Sequence, residues 1–236
     1  MKYIEVETYE ELSTKAAELI ASVVKSKPES VLGLATGSSP LGTYDGLIKT
    51  YNNGEVDFSK VTTINLDEYI GLTPDNDQSY RYFMETNLFS KINVRKDFTF
   101  VPDGCAKDIK KECKEYDERI SALGGIDIQL LGIGLDGHIG FNEPCDVFVK
   151  ETHLVDLDPS TIEANARFFS SIDDVPKQAV TMGMGGIMGA KKVLLIANGK
   201  NKEEIVKKAF FGPITPKVPA SVLQLHPDVT VIYSKN

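Results

Sequence analysis

IDIQLLGIGLDGHIGFNEP, residues 126–144, joins two stretches of opposite character. Ile126 to Leu131 is a short, mostly apolar run without Gly or Pro, the pattern of a buried strand. The second stretch carries glycines at 132, 134, 137 and 140, together with Asp136, His138 and Glu143. In open α/β sheets ligands bind in the loops beyond the carboxyl ends of strands. A strand that runs into a glycine-rich loop bearing a histidine and two carboxylates therefore predicts both a sheet and a site.

Moving outward, the same alternation recurs. YIEV (3–6), SVLGLA (30–35), VTTINL (61–66), AVTMGM (179–184), KVLLIA (192–197) and VTVIY (229–233) read as further strands. Between them lie helical patterns. Thr8 and Glu11 fit a capping box, followed by Leu12, Ala16, Leu19, Ile20, Val23 and Val24 at helical spacing. Residues 41–52, 78–89, 105–123 and 201–210 read as helices, the last opened by Asn201 with Glu204. The expectation is a single α/β domain over residues 1–236: a Rossmann-like, doubly wound, mostly parallel sheet with helices on both faces. The loops after residues 35, 66, 131 and 197 are where its site belongs.

Composition sets bounds. A chain of 236 residues with 42% hydrophobic content supports one substantial core. No run of about 18 apolar residues suggests a membrane span, and the N-terminal stretch lacks the pattern of a signal peptide. Three cysteines, Cys105, Cys113 and Cys145, lack metal spacing and read as free thiols of a cytoplasmic protein. A net charge of −8 argues against a nucleic-acid partner, which needs a basic face. An anionic substrate would need donors supplied locally.

Such donors are present in TGSSPLGT (36–43) at a strand-to-helix turn. Gly37 suits a positive φ; Thr36, Ser38, Ser39 and the helix-start amides can donate to phosphate oxygens. The spacing approaches a nucleotide P-loop but lacks its Lys, so a monophosphate cradle fits better. By itself the stretch is equally a tight turn with a helix cap. Gly132-Ile-Gly134-Leu-Asp-Gly137 matches a dinucleotide fingerprint, but Gly140 and Pro144 disfavour the helix which that fingerprint requires. Asp67 and Glu68 lie just past a strand, as loop charges, a cap, or a base for a proton next to a carbonyl. The carboxylates near His138 would raise its pKa and fix its tautomer, suiting a near-neutral proton carrier. His, Asp and Glu are also metal ligands, yet the recurrent His or Cys spacing of zinc motifs is missing. His153 and His226 read as structural, and Arg167 and Lys202 as surface charges or phosphate clamps.

Five motifs taken in order, LGLATGSSPLGTY, NLDEYIGL, GIGLDGHIGFNEP, NARFF and VPASVLQLHP, resemble the glucosamine-6-phosphate deaminase family over nearly the whole chain. The resemblance implies conversion of D-glucosamine 6-phosphate and water to D-fructose 6-phosphate and ammonia, with no metal or organic cofactor. It implies that Asp67 moves a proton between C2 and C1, and that His138 opens the sugar ring, oriented by Asp136 and Glu143. Thr36, Gly37, Ser38, Ser39, Arg167 and Lys202 would bind the 6-phosphate. Residues 145–175 would form a mobile lid. The stretch after NEP, CDVFVKETHLVDL, mixes Lys150 with Asp146 and Glu151. It departs from relatives that are activated as hexamers, and points to a monomer while leaving a homo-oligomer open. A sugar-phosphate lactonase would not need Asp67 at C2, and a sensor of a transcription regulator would need a basic DNA-binding segment.

Overall fold

The computed structural model describes residues 1–236, excepting the side chains of Ser160, Ala164 and Phe168. Ten strands and seven α-helices follow the chain in the order β1 (Lys2–Val6), α1 (Tyr9–Ser26), β2 (Val31–Leu34), α2 (Leu41–Asn52), β3 (Thr62–Asn65), β4 (Asp67–Tyr69), α3 (Tyr80–Asn87), β5 (Thr99–Phe100), α4 (Ile109–Ala122), β6 (Ile128–Leu131), β7 (His153–Asp156), α5 (Pro159–Asn165), β8 (Gln178–Thr181), α6 (Met184–Met188), β9 (Val193–Asn198), α7 (Glu203–Phe211) and β10 (Val229–Ser234). Among the described residues, no helix is long and apolar enough to cross a membrane.

Seven strands form one parallel sheet in the order β1-β10-β9-β6-β2-β3-β5. Neighbouring residues on a strand face opposite sides, and both sides are covered. Val31, Leu131, Leu195 and Val231 join a core with α4, α6 and α7. Leu32, Leu130, Leu194 and Ile232 join another with α1, α2 and α3. That double covering is why these strands read as continuous apolar runs rather than as alternating ones. From β2 the chain winds out to β3 and β5, then returns to β6 on the other side of β2 and winds the opposite way. The reversal opens a crevice at the carboxyl ends of β2 and β6.

The second sheet was not legible in the sequence. β4, β8 and β7 pair antiparallel, in the order β4-β8-β7. AVTMGM therefore contributes to this small sheet and not to the parallel one, and its last residue opens α6. DEY, expected as loop, is strand β4.

Local expectations held unevenly. Thr8 caps α1 by accepting from Glu11 N at 3.2 Å, while Glu11 reaches back to Glu7 N at 3.0 Å, one residue before the cap. Residues 78–89 shorten to α3 because Ser79 caps it, accepting from Tyr82 N. Residues 105–123 shorten to α4 because Asp108 is its cap. Asn201 does not cap α7, which continues from a turn of 3₁₀ helix and begins at Glu203 without a side-chain cap. Asp127, a carboxylate at the buried start of β6, accepts from Val31 N and pairs with Lys27 and Lys191, each at 2.7 Å. Burial works against its charge, but these donors outweigh it and hold the pKa low.

Tyr116 of α4 is fully buried, and its hydroxyl donates to Asn65 O at 2.7 Å and lies 3.2 Å from Phe100 O, pinning the end of β3 just before Asp67. Tyr116→Phe removes the phenol hydroxyl from both carbonyls. It should lower unfolding free energy by ~1–3 kcal/mol, measured by urea titration; an unchanged midpoint would refute this account of the pin.

Candidate functional site

The crevice is an open cavity of about 700 Å³. Three loops and β4 supply its chemistry. The turn after β2 brings Thr36, Gly37, Ser38 and Ser39; β4 brings Asp67; the loop after β6 brings Asp136 and His138; the turn after β9 brings Asn198, Asn201 and Lys202. Thr161, Asn165 and Arg167 enter from the segment that includes α5. Residues as far apart in the chain as Thr36 and Lys202 thus face one space.

Asp67 and Glu68 are both buried, which excludes solvated loop charges. Strand alternation sends them to different sides. Glu68 turns to the start of α3 and accepts from Tyr69 N, Tyr80 N and Arg81 N, each at 2.9 Å. Burial raises its pKa to about 7, with those three amides pulling the other way. It is the cap that the sequence allowed, beside Ser79. Asp67 lines the cavity. Burial pushes its pKa up to about 8; the charge of Glu68 adds to the rise and that of His138 opposes it. A carboxyl raised this far is a stronger base once ionised than a solvated aspartate.

The His138 ring presents Nδ1 to two carboxylates, 2.8 Å from Asp136 Oδ1 and 3.2 Å from Glu143 Oε2. Neither approach has the alignment of a directed hydrogen bond, so the contacts are those of an ion pair. Asp136 also accepts from His138 N at 3.1 Å, and Thr161 Oγ1 donates to Glu143 Oε1 at 2.7 Å. Burial alone would lower the His138 pKa, but the two carboxylates outweigh it and raise it to about 9. The two carboxylates thus shift the ring in the direction expected and favour its charged form. Burial likewise works against the Asp136 charge, yet its bonds to His138 hold its pKa well below the usual carboxylate range. With Nδ1 engaged, Nε2 is the nitrogen left for a ligand.

Glycine permits this crowding. A Cβ on Gly134 would stand 2.4 Å from His138 Nδ1 and 2.6 Å from Asp136 Oδ1. Gly37 has φ +91°, the left-handed value expected for the turn after β2. That turn is held from outside by Tyr9, whose hydroxyl lies 3.2 Å and 3.0 Å from the carbonyls of Ser38 and Ser39 and accepts from Gly42 N at 2.9 Å. One helix-start amide expected to serve an anion is therefore already committed. Lys202 Nζ donates to Ile133 O at 2.6 Å. Burial lowers its pKa, with Asp136 opposing and Arg167 adding to the fall, which puts the two cations within electrostatic reach of each other.

Tyr9, Tyr80 and Thr161 carried no sequence signal, because each acts through a partner far along the chain. His226 is structural as expected: it is buried, accepts from Asp228 N at Nδ1, and so donates from Nε2 to Ala190 O at 2.7 Å. Among the described residues, Asp136, His138 and Glu143 are the one cluster whose ligand atoms, all within 4.8 Å of one another, could hold a metal ion. A cation there would have to compete for the oxygens that face His138 Nδ1.

The family model for glucosamine-6-phosphate isomerases/6-phosphogluconolactonase matches residues 5–232. The chain belongs to that family. A glucosamine-6-phosphate deaminase of Lachnoclostridium phytofermentans is 61% identical over 232 residues, 98% of each chain. One from Clostridium perfringens is 58% identical over 236 residues, 100% of this chain and 98% of its own. Among solved structures, a monomeric glucosamine-6-phosphate deaminase superposes with TM-score 0.97 at 48% identity, covering 99% of this chain and 97% of its own. A 6-phosphogluconolactonase from Trypanosoma cruzi shares the fold at TM-score 0.78 and 20% identity, covering 99% and 94%.

Asp67 tests the electrostatics without any substrate. An unfolded aspartate loses its proton near 3.8, whereas the folded one keeps it to about 8. Ionisation therefore disfavours the folded state progressively as pH rises between those values, and not below them. Asp67→Asn should melt at the native temperature at pH 4 and at least ~2–4 °C above it at pH 8. A difference in melting temperature that stays flat with pH would contradict the raised pKa.

Proposed function

We propose that this chain converts D-glucosamine 6-phosphate and water to D-fructose 6-phosphate and ammonia. The observation that carries the reading is a buried, unusually basic carboxylate, Asp67, sharing one crevice with a doubly anchored imidazolium. Whole-length identity of 48–61% to glucosamine-6-phosphate deaminases supports the substrate.

In this reading the 6-phosphate lies against Thr36, Gly37, Ser38 and Ser39, with Arg167 and Lys202 as its cations, and supplies binding energy away from the reacting carbons. His138 gives its Nε2 proton to O5 as the C1–O5 bond breaks, then recovers one from the O1 hydroxyl as the aldehyde forms. Asp136 and Glu143 stabilise the imidazolium before and after. Ionised Asp67 takes the C2 proton, giving an enolamine, and returns it to C1. The resulting C2 imine adds water and expels ammonia, leaving the ketone. No step calls on a metal or an organic cofactor. Residues 145–175 act as a lid, a reading supported by Thr161, Asn165 and Arg167, which reach the cavity from them. Similarity to a monomeric deaminase supports a monomer, which light scattering would test.

Purified protein should release ammonia and fructose 6-phosphate in equal amounts, at a rate indifferent to EDTA. Asp67→Asn should reduce kcat by ~10²–10⁴-fold. Release of neither product by folded protein, or loss of activity in chelator that a divalent ion restores, would overturn the reading or its cofactor-free form respectively.

The pH profile has a definite sign. For the free enzyme, kcat/KM should rise as Asp67 ionises at about 8 and fall as His138 loses its proton at about 9. Asp136→Asn should move the alkaline limb downward by ~1 unit or more, since one anion beside the ring is gone. An alkaline limb unmoved by that substitution would show that it does not report His138.

A further inference from the structure

Thr161 lies on α5, in the segment between the NEP motif and β8, and is buried, whereas Glu163 two places on is exposed. Its hydroxyl donates to Glu143 Oε1 at 2.7 Å, while the other oxygen of the same carboxylate stands 3.2 Å from His138 Nδ1. The next residue, Ile162, packs with Leu157 against Tyr69 and Phe141. Phe141 in turn stacks on Tyr80, with ring centroids 5.9 Å apart and planes 14° from parallel. Among the described residues, the seat of α5 includes this apolar contact and the Thr161 bond, which ends on the carboxylate that holds the ring-opening group.

We propose that Thr161 is a positioning residue: it ties α5 to Glu143, and through Glu143 aims the His138 ring, so that the relay is assembled only when α5 is seated. The inference rests on the deaminase reading for its consequence, but its geometry does not. A free glutamate side chain has three rotatable bonds. Donation to Oε1 fixes the carboxylate plane and leaves Oε2 facing the ring. With the hydroxyl absent, Glu143 has rotamers that turn it from Nδ1, and Asp136 alone holds the ring. Substrate contacts at the phosphate end are untouched, so binding and turnover should separate.

The test uses the full chain with Thr161→Val, which keeps the shape and loses the hydroxyl, and Thr161→Ser, which keeps the hydroxyl. Thr161→Val should lower kcat by ~10–100-fold with KM for glucosamine 6-phosphate within about threefold of native, and Thr161→Ser should recover most of the loss. In nitrogen-15 NMR of the ligand-free protein, the His138 Nδ1 resonance should move in Thr161→Val and return in Thr161→Ser. Native kcat in Thr161→Val, equal loss in both variants, or an unmoved His138 resonance would overturn the proposal. Should Thr161→Val fail to fold, Thr161→Ala is read the same way. If native protein releases no ammonia, the deaminase reading fails, and the ring resonance still judges the tie to Glu143 by itself.

Discussion

Everything at the crevice depends on the pairing of β4 with β8. That ladder sets Asp67 opposite Thr181, and on the other edge of β8 Thr181 stands opposite His153 of β7. The Thr181 hydroxyl also accepts from Phe141 N at 3.0 Å, which fixes the loop that carries His138 and Glu143. One residue therefore joins the base, the histidine loop and the strand leading toward α5. Strand alternation then decides which of two adjacent carboxylates meets the cavity: a slip by one residue would exchange Asp67 and Glu68. The amides at the start of α3 bind Glu68 and reinforce the observed register.

Burial acts on Asp67, Asp136 and His138 alike, and their partners make the outcomes differ. Asp67 has a like charge as neighbour and is driven toward neutrality; Asp136 has an imidazolium against it and stays ionised. His138 would lose its charge to burial but for two carboxylates. Environments that push neighbouring pKa values apart are how one site holds a proton donor and a base together near the same pH. The parallel sheet contributes the rigid frame, since the loops at its switch point are anchored on strands with both faces buried.

Much of this was legible in the chain. Apolar runs such as VLLIA and IQLL mark doubly covered strands because a parallel sheet buries both faces. The glycines of GIGLDGHIG mark a backbone that must come close to something, and Gly134 does come close to His138 and Asp136. Asp67, Asp136, His138, Arg167 and Lys202, with the Thr36–Ser39 turn, line the same crevice, and Glu143 stands behind it against the His138 ring. The small antiparallel sheet was missed because DEY and HLVD are short runs with polar residues, unlike the apolar runs of the parallel sheet, and AVTMGM by itself does not show which sheet it joins. The caps at Ser79 and Asp108 compete with other polar residues nearby, and only the folded backbone selects among them.

The sequence by itself determined the class of fold, most strands of the parallel sheet, and the set of side chains fit for proton transfer and anion binding, because periodicity, turn chemistry and residue type are local properties. Which carboxylate faces the cavity, how far each pKa moves, and which distant hydroxyls hold the site were decided only by tertiary structure. Those outcomes depend on distances between residues far apart in the chain and on the water excluded between them. Tyr9 on Gly42 and Thr161 on Glu143 have no trace in local pattern, since a single hydrogen bond across the fold leaves no periodicity behind.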